Sequence, residues 1–475
     1  MNIEPHTHRD ISLETSRLQN LRSQLQGYAL LPGDDGYDRA RRVWTSTFDQ
    51  HPALIVVPKS PADVAAAVTF ARENGLPIAI QGGGHGPAYP ADGALLINFM
   101  QMTGLQINLE ASTVRIEAGL KWAQVIEAAH PFGLAPLNGF APTVGVVGYL
   151  LGGGYGWLVR QYGLGASSIR SVDLVTADGR LLLVNEQSYP DLFWGLRGGG
   201  GNFGIVTALE VALYPVKEVF GGQVLYSIEQ GKEVAKTYLD WVETVPVELT
   251  SAFRIIHFPP LSHLPPLLSG KTVVMIAACY NGTAEDGATL LRPMRTLGTP
   301  LLDTFTQLPY SQVAAIANDP VKSLPHYYYN DHRAMQSLTA SDIDAIVEVM
   351  ANPASGISVL EIRHLGGVLA GIPEDAMAAS MHDVNFNVWA LTTAPEINML
   401  ETGKESITKI IQALKPDASV QALLNSLGYN DVGPDRTRAA YTVENYRRLV
   451  ELKDKYDSQN IFRFNHNIPP SQHEG

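Results

Sequence analysis

Residues 80–93 read IQGGGHGPAYPADG, so that Gly82, Gly83, Gly84 and Gly86 flank one imidazole, His85. Glycine lets backbone amides approach a ligand closely and allows positive φ, the two properties a pyrophosphate cradle needs. Three further clusters follow: Gly145 with Gly148, then Gly152, Gly153 and Gly154 in LGGGYGW, then RGGGGNFG over 197–204. Any one could be only a turn. Four of them beside strand-like or helix-like runs point to a large anionic cofactor. None has the GxGxxG spacing of a Rossmann nicotinamide site or the GxxxxGK[ST] of a P-loop hydrolase.

Proton-transfer candidates lie further along. PHYYYNDHR supplies Tyr327, Tyr328 and Tyr329; in a strand Tyr327 and Tyr329 face one way and Tyr328 the other, so at most one set lines a pocket. Glu361 in SVLEIRHL sits between apolar neighbours, which calls for solvent or a partner, and Arg363 on the same face offers a simple surface pair. His382 is a third candidate. The single cysteine, Cys279, excludes an intrachain disulfide and a cysteine-rich metal site; no metal is expected.

These residues need scaffolding, and 475 residues, 45% of them hydrophobic, suffice for two cores. ALIVV (53–57), a helix capped by Ser60 with Pro61 in its first turn and stopped by Gly75, and LPIAIQ (76–81) form a strand–helix–strand unit ending at the His85 loop. Strands are also expected at 94–98, 112–119 and 202–216, with a hairpin turning at Asp178-Gly179. After Pro215 the pattern changes to strand-like runs (TVVMIAACY, SVLEIRHL, NFNVWALTT) alternating with helix-like runs (TASDIDAIVEVMA, ESITKIIQALK), as in an α+β domain with helices over an antiparallel sheet. PPLSHLPPLLSG reads as a surface loop.

A net charge of −13, from 34 basic and 47 acidic residues, disfavours nucleic acid and anionic membranes. No apolar run approaches membrane-spanning length, and the polar start differs from a secretory signal, so a cytoplasmic protein is expected.

VVPKSPADVAAAVTFARENGLPIAIQGGGH, GFAPTVGVVGYLLGGGYGWLVRQYGLGASSI, DLFWGLRGGGGNFGIVT and YDSQNIFRFNHNI, in this order, resemble the vanillyl-alcohol-oxidase flavoproteins. Within them they look like the berberine-bridge-enzyme-like oxidases, which share motifs with 6-hydroxynicotine oxidases. Residues 1–36 read as an arm and helix; for the rest the resemblance implies an α+β fold: a two-subdomain PCMH-type FAD-binding domain (37–216), a substrate domain (217–425) and a C-terminal segment returning to the FAD domain (426–475).

It further implies FAD bonded through its 8α carbon to His85, the bare glycines admitting the ring. The second, cysteinyl link of many relatives is not expected, because Ala141 stands in APTVG where they have cysteine. Thr143, Val144, Gly145, Val146, Gly148 and Tyr149 belong to the same cofactor loop, with Val146 at the position whose small residue favours reaction with dioxygen. Ile205, Val206, Asn465 and Asn467 match further cofactor positions. Gln81 and Tyr149 depart from the arginine and histidine often found there. Asn425 matches a catalytic-segment asparagine, but Leu423 replaces the tyrosine base two places before it, which disfavours sugar oxidation.

The expected activity is an FAD-linked oxidase acting on an alcohol, amine or N-heterocycle, with O2 reduced to H2O2, in a monomer or homodimer. An oxidative cyclase or oxygenase, or a non-catalytic flavin-binding protein, are the alternatives.

Overall fold

Ser60, three residues after the strand Leu54–Val57, accepts a hydrogen bond from the Asp63 amide at 3.3 Å, which starts the helix Pro61–Glu73. Gly75, at φ +65°, ends it and turns the chain into the next strand. The computed structural model describes residues 15–45, 49–86, 89–262, 264–319, 326–429 and 433–473. The arm expected before Thr15 lies outside them. Four strands, β1 (Tyr28–Leu30), β2 (Leu54–Val57), β3 (Ile78–Gln81) and β4 (Leu95–Asn98), form a sheet in the order β1-β2-β4-β3. The pairs β2–β4 and β4–β3 are parallel, and every residue of β2 is buried, as a strand covered on both faces requires.

A second sheet is antiparallel: β5 (Leu105–Asn108), β6 (Thr113–Glu117), β7 (Ile169–Val175), β8 (Leu181–Val184) and β9 (Ile205–Ala212), in the order β5-β6-β9-β7-β8. Gly179 at φ +84° makes the β7–β8 turn.

The third sheet contains β10 (Glu218–Ser227), β11 (Leu249–His257), β12 (Thr272–Tyr280), β13 (Leu302–Asp303), β14 (Thr306–Pro309), β15 (Tyr327–Met335), β16 (Val359–His364) and β17 (Phe386–Ala394). Its order is β13-β10-β12-β11-β16-β17-β15, with β14 also on β10. The helices Gly231–Val242, Ala284–Arg295, Ala340–Ala351 and Glu401–Ala413 bury Tyr238, Leu291, Ile346 and Ile407 against Phe253, Ile255, Leu360, Ile362 and Val388. Alternation then directs Arg254, Glu361, Arg363, Asn387 and Trp389 to the opposite face, toward the first core. The chain's end joins that core: Leu423, Tyr441, Leu449, Phe462 and Ile468 pack with residues from both smaller sheets. No helix among the described residues is long and apolar enough to cross a membrane.

Candidate active site

At the end of β3 the chain leaves the parallel sheet through Gly82–Gly86. A Cβ on Gly83 would stand 2.6 Å from the amide nitrogen of Gly145, and one on Gly145 would stand 2.6 Å from that of Gly83. The two loops therefore meet backbone against backbone, a contact only glycine permits. Gly84 takes φ +64°, and its carbonyl accepts the Trp44 amide at 2.8 Å. The Trp44 ring stacks on the imidazole of His85, with centroids 4.9 Å apart and planes inclined by 18°. Burial, with the nearby Lys121 charge adding to it, lowers the His85 pKa to about 4, so the ring is neutral at pH 7. Gln81 donates to the Arg42 carbonyl at 2.9 Å and accepts from Gln50 at 3.0 Å, anchoring the Trp44 segment beneath the loop.

The glycines of 145–154 divide in two. The amides of Gly152 and Gly153 donate to the carbonyls of Gly148 and Leu150, and that of Gly154 donates to Asn425 Oδ1 at 2.7 Å. The cradle role expected for these three is corrected: their donors are spent within the protein, and a Cβ on Gly154 would stand 2.4 Å from the Tyr149 ring. Val146 is also committed, its amide bonding to the Leu120 carbonyl. By contrast, no amide from Gly82 to Gly86 donates to another described residue.

Ile205 and Val206 pair with β7 along one edge, while β6 pairs with β9 only from Ala208 onward. The C-terminal loop is stapled by Lys453, whose ammonium reaches Asp457 at 2.7 Å and the carbonyls of Asn202 and Phe462, all buried. Asn202 also holds His466 and Ile468. The side-chain oxygens of Thr143, Asn465 and Asn467 are buried without a hydrogen-bond partner among the described residues, and a cleft of about 430 Å3 opens between Tyr89, Gly433, Asn460, Arg463 and Asn467. A dinucleotide needs free backbone donors for its phosphates and buried dipoles for its ring edges. The residues present fit FAD.

The face of the third sheet turned away from its helices carries cross-strand rows. Register places Arg254, Glu361, Trp389 and His332 in one row, and Ala252, Arg363, Asn387 and Ala334 in the next. Glu361 accepts hydrogen bonds from Arg254 and Arg363. Burial opposes its ionisation, but the two guanidiniums outweigh it and hold the carboxyl below its ordinary pKa. Glu361 is therefore corrected from base to structural anion, and its pair is buried rather than on the surface. Arg363 also lies 3.5 Å above the Phe140 ring, and Asn387 donates to Tyr155 Oη at 3.2 Å, joining the sheet to the segment around the Gly145–Gly154 loop.

Tyr327 and Tyr329 are corrected as well. Tyr329 packs into the helix-covered core, under Lys404, so this pair faces away from the loops. Tyr328 is on the site face with its ring edge-on to Tyr429, centroids 5.4 Å apart, and burial raises its pKa to about 12. Asn425 is engaged with the glycine loop: its oxygen takes the Gly154 amide and its nitrogen donates to the Tyr149 carbonyl at 3.1 Å. His382 lies 3.3 Å from Ser380 of its own loop. Leu423, where a tyrosine was missing, donates its amide to His332 Nε2 at 2.9 Å, and burial holds His332 neutral, its pKa lowered to about 3. Trp44, His332, Asn387, Trp389 and Lys453 escaped the sequence reading; for Trp389 the β17 alternation carried the signal.

Residues 52–185 match the FAD binding domain family, and residues 415–469 match the family described as berberine and berberine like. The chain is 29% identical over 469 residues to (R)-6-hydroxynicotine oxidase of Paenarthrobacter nicotinovorans, covering 94% of this chain and 97% of that one. It is 28% identical over 455 residues to an FAD-linked oxidoreductase of Dictyostelium discoideum, covering 94% and 96%. The crystal structure of 6-hydroxy-D-nicotine oxidase from Arthrobacter nicotinovorans superposes with a TM-score of 0.84 at 28% identity, over 94% of this chain and 98% of that one.

Proposed function

We propose that this chain, which matches the FAD binding domain and the berberine and berberine like families over residues 52–185 and 415–469, is a berberine-bridge-enzyme-like FAD-linked oxidase acting on a small amine or N-heterocycle. FAD is tethered through His85 alone, since Ala141 provides no thiol, and dioxygen is the final acceptor. When bound, the flavin supplies the hydride acceptor; the rest falls to the chain. The observation that supports the tether is a neutral imidazole set in a loop whose amides have no acceptor among the described residues. Only the neutral ring has a nitrogen lone pair with which to form a bond.

An amine is favoured over an alcohol by the site face. Glu361 is held ionised and engaged, His332 is neutral with its Nε2 occupied, and Tyr328 keeps its proton at pH 7. A general base works best with a pKa near the operating pH, and each of these groups is driven away from it. An amine entering unprotonated needs no such base. Tyr328 then serves as a hydrogen-bond donor, and the row containing Trp389 supplies a flat wall for the substrate. The N-heterocyclic substrate in the name of the 29%-identical oxidase agrees with this choice.

The test is direct. The protein is denatured in acid and run on a gel, and flavin fluorescence should stay with the band and vanish in His85→Ala. Peroxide is then followed with amines, N-heterocycles, alcohols and oligosaccharides side by side. A colourless band defeats the tether, and turnover confined to sugars defeats the substrate class.

A further inference from the structure

Trp44 is the residue that the structure brings against the reactive imidazole. It is fixed at two points of the same loop: its amide donates to the Gly84 carbonyl at 2.8 Å, and two residues before it the Arg42 carbonyl accepts from Gln81 at 2.9 Å. Gln50 closes the knot, donating to Gln81 Oε1 at 3.0 Å and accepting from the Ala91 amide at 3.1 Å. The indole consequently lies nearly parallel to the imidazole, 4.9 Å away. A side chain flanked by Gly84 and Gly86 has no neighbouring side chain on either side in sequence to limit its rotamers.

We propose that Trp44 is a positioning residue for flavin attachment: its ring covers one face of the His85 imidazole and holds the ring so that an edge nitrogen points at the 8α carbon. The inference rests on the tether reading. In the attachment, the imidazole N–H bond and one C–H bond of the 8α methyl group break and a C–N bond forms. Two hydrogens are left on the isoalloxazine, and dioxygen removes them as hydrogen peroxide. Trp44 takes no part in that electron flow. It restricts the nucleophile, and preorganisation of this kind affects rate through geometry. Covering the ring also excludes water from one face, which agrees with the direction of the His85 shift; Lys121 is the charged group acting on it.

The experiment uses full-length apoprotein from riboflavin-limited cells, mixed with FAD, with covalent flavin followed by fluorescence of acid-denatured samples. Trp44→Ala should attach flavin roughly 10- to 100-fold more slowly, the size of effect a misplaced reacting group produces. Trp44→Phe, which keeps a stacking ring, should recover most of the rate. The pH at which attachment falls to half should move upward in Trp44→Ala, because a more hydrated imidazole protonates at higher pH. General loosening of the fold would slow attachment without moving that midpoint. If Trp44→Ala does not fold, Gln81→Ala, which loosens the anchor and keeps the indole, should slow attachment by a smaller factor. Wild-type rate and midpoint in Trp44→Ala, or in Gln81→Ala where that substitutes, overturn the proposal and leave the tether standing. A wild-type protein that never becomes labelled overturns both.

Discussion

Glu361 on β16 is gripped by Arg254 on the neighbouring β11 and by Arg363 two residues along its own strand, with all three side chains almost wholly buried. Asp319 adds a second, more exposed carboxylate 3.9 Å from Arg254, but Glu361 is the buried anion that faces both guanidiniums and makes their burial tolerable. Glu361→Gln should therefore cost about 3–5 kcal/mol of stability, the range for breaking a buried ion pair on one side. Because the folded pKa is depressed, the stabilisation is complete above the ordinary carboxylate range and is lost as pH falls through the folded value. Urea denaturation of wild type and variant at pH 7 and at falling pH measures both. A variant as stable as wild type but catalytically dead would restore Glu361 as a base.

Tyr328 and Tyr329 are adjacent and face opposite ways, so their phenylalanine variants should separate cleanly. Tyr328→Phe removes a donor from the site face and should lower kcat/KM by about tenfold, roughly the 1–2 kcal/mol of a hydrogen bond. Tyr329→Phe should leave kcat/KM within about twofold, since its ring packs under Lys404 on the helix side. Equal losses in steady-state assays would show that the strand's alternation is not what sorts these residues.

The His85 loop makes a sharper contrast within four residues. Gly83→Ala places a methyl 2.6 Å from the Gly145 nitrogen, a backbone atom that cannot swing aside, whereas Gly86→Ala meets no described atom within 4 Å. Overpacking of this kind costs about 1–3 kcal/mol. Gly83→Ala should lower both the melting temperature and covalent flavin content, and Gly86→Ala should change neither appreciably. Calorimetry with gel fluorescence reads the two together.

What the sequence disclosed, and what it withheld, follows from the range of the interactions involved. The strand at 272–280 and the helix started by Thr339 were legible because apolar runs and caps act locally. The Gly152–Gly154 cluster was misread because free and spent amides look identical in sequence: Gly152 and Gly153 spend theirs within the turn, and the partner of Gly154, Asn425, lies 271 residues away. The tyrosine pair was misassigned for a similar reason. Alternation showed that Tyr327 and Tyr329 oppose Tyr328, but only the helix Glu401–Ala413 decides which side is covered. Trp44 gave no signal, since its stacking on His85 depends on the Gln50–Gln81 knot.

The Lys453–Asp457 pair, one helical turn apart, is fully buried and ties the C-terminal loop to Asn202. Burial lowers the lysine pKa while Asp457 works against that, so the ammonium depends on its partner. Lys453→Met strands the Asp457 charge and should cost about 3–5 kcal/mol; adding Asp457→Asn should recover part of it. The loop also carries Asn465 and Asn467, so the single variant should release FAD more readily in a His85→Ala background. Denaturation curves and flavin retention on desalting check these outcomes.

The pH dependence of turnover discriminates most directly among the chemical readings. If no enzyme group accepts the substrate proton, the acid limb of kcat/KM belongs to the substrate. Two amine substrates whose pKa values differ by about two units should then give limbs displaced by about the same amount, rate rising with pH until each amine is neutral. A base on the site face would give one common limb. The groups here do not supply it near neutrality: protonation of His332 is expected only near pH 3, and ionisation of Tyr328 only near pH 12. Coincident limbs between pH 6 and 8 would sink the unprotonated-amine reading and direct attention to a proton acceptor outside the sheet face.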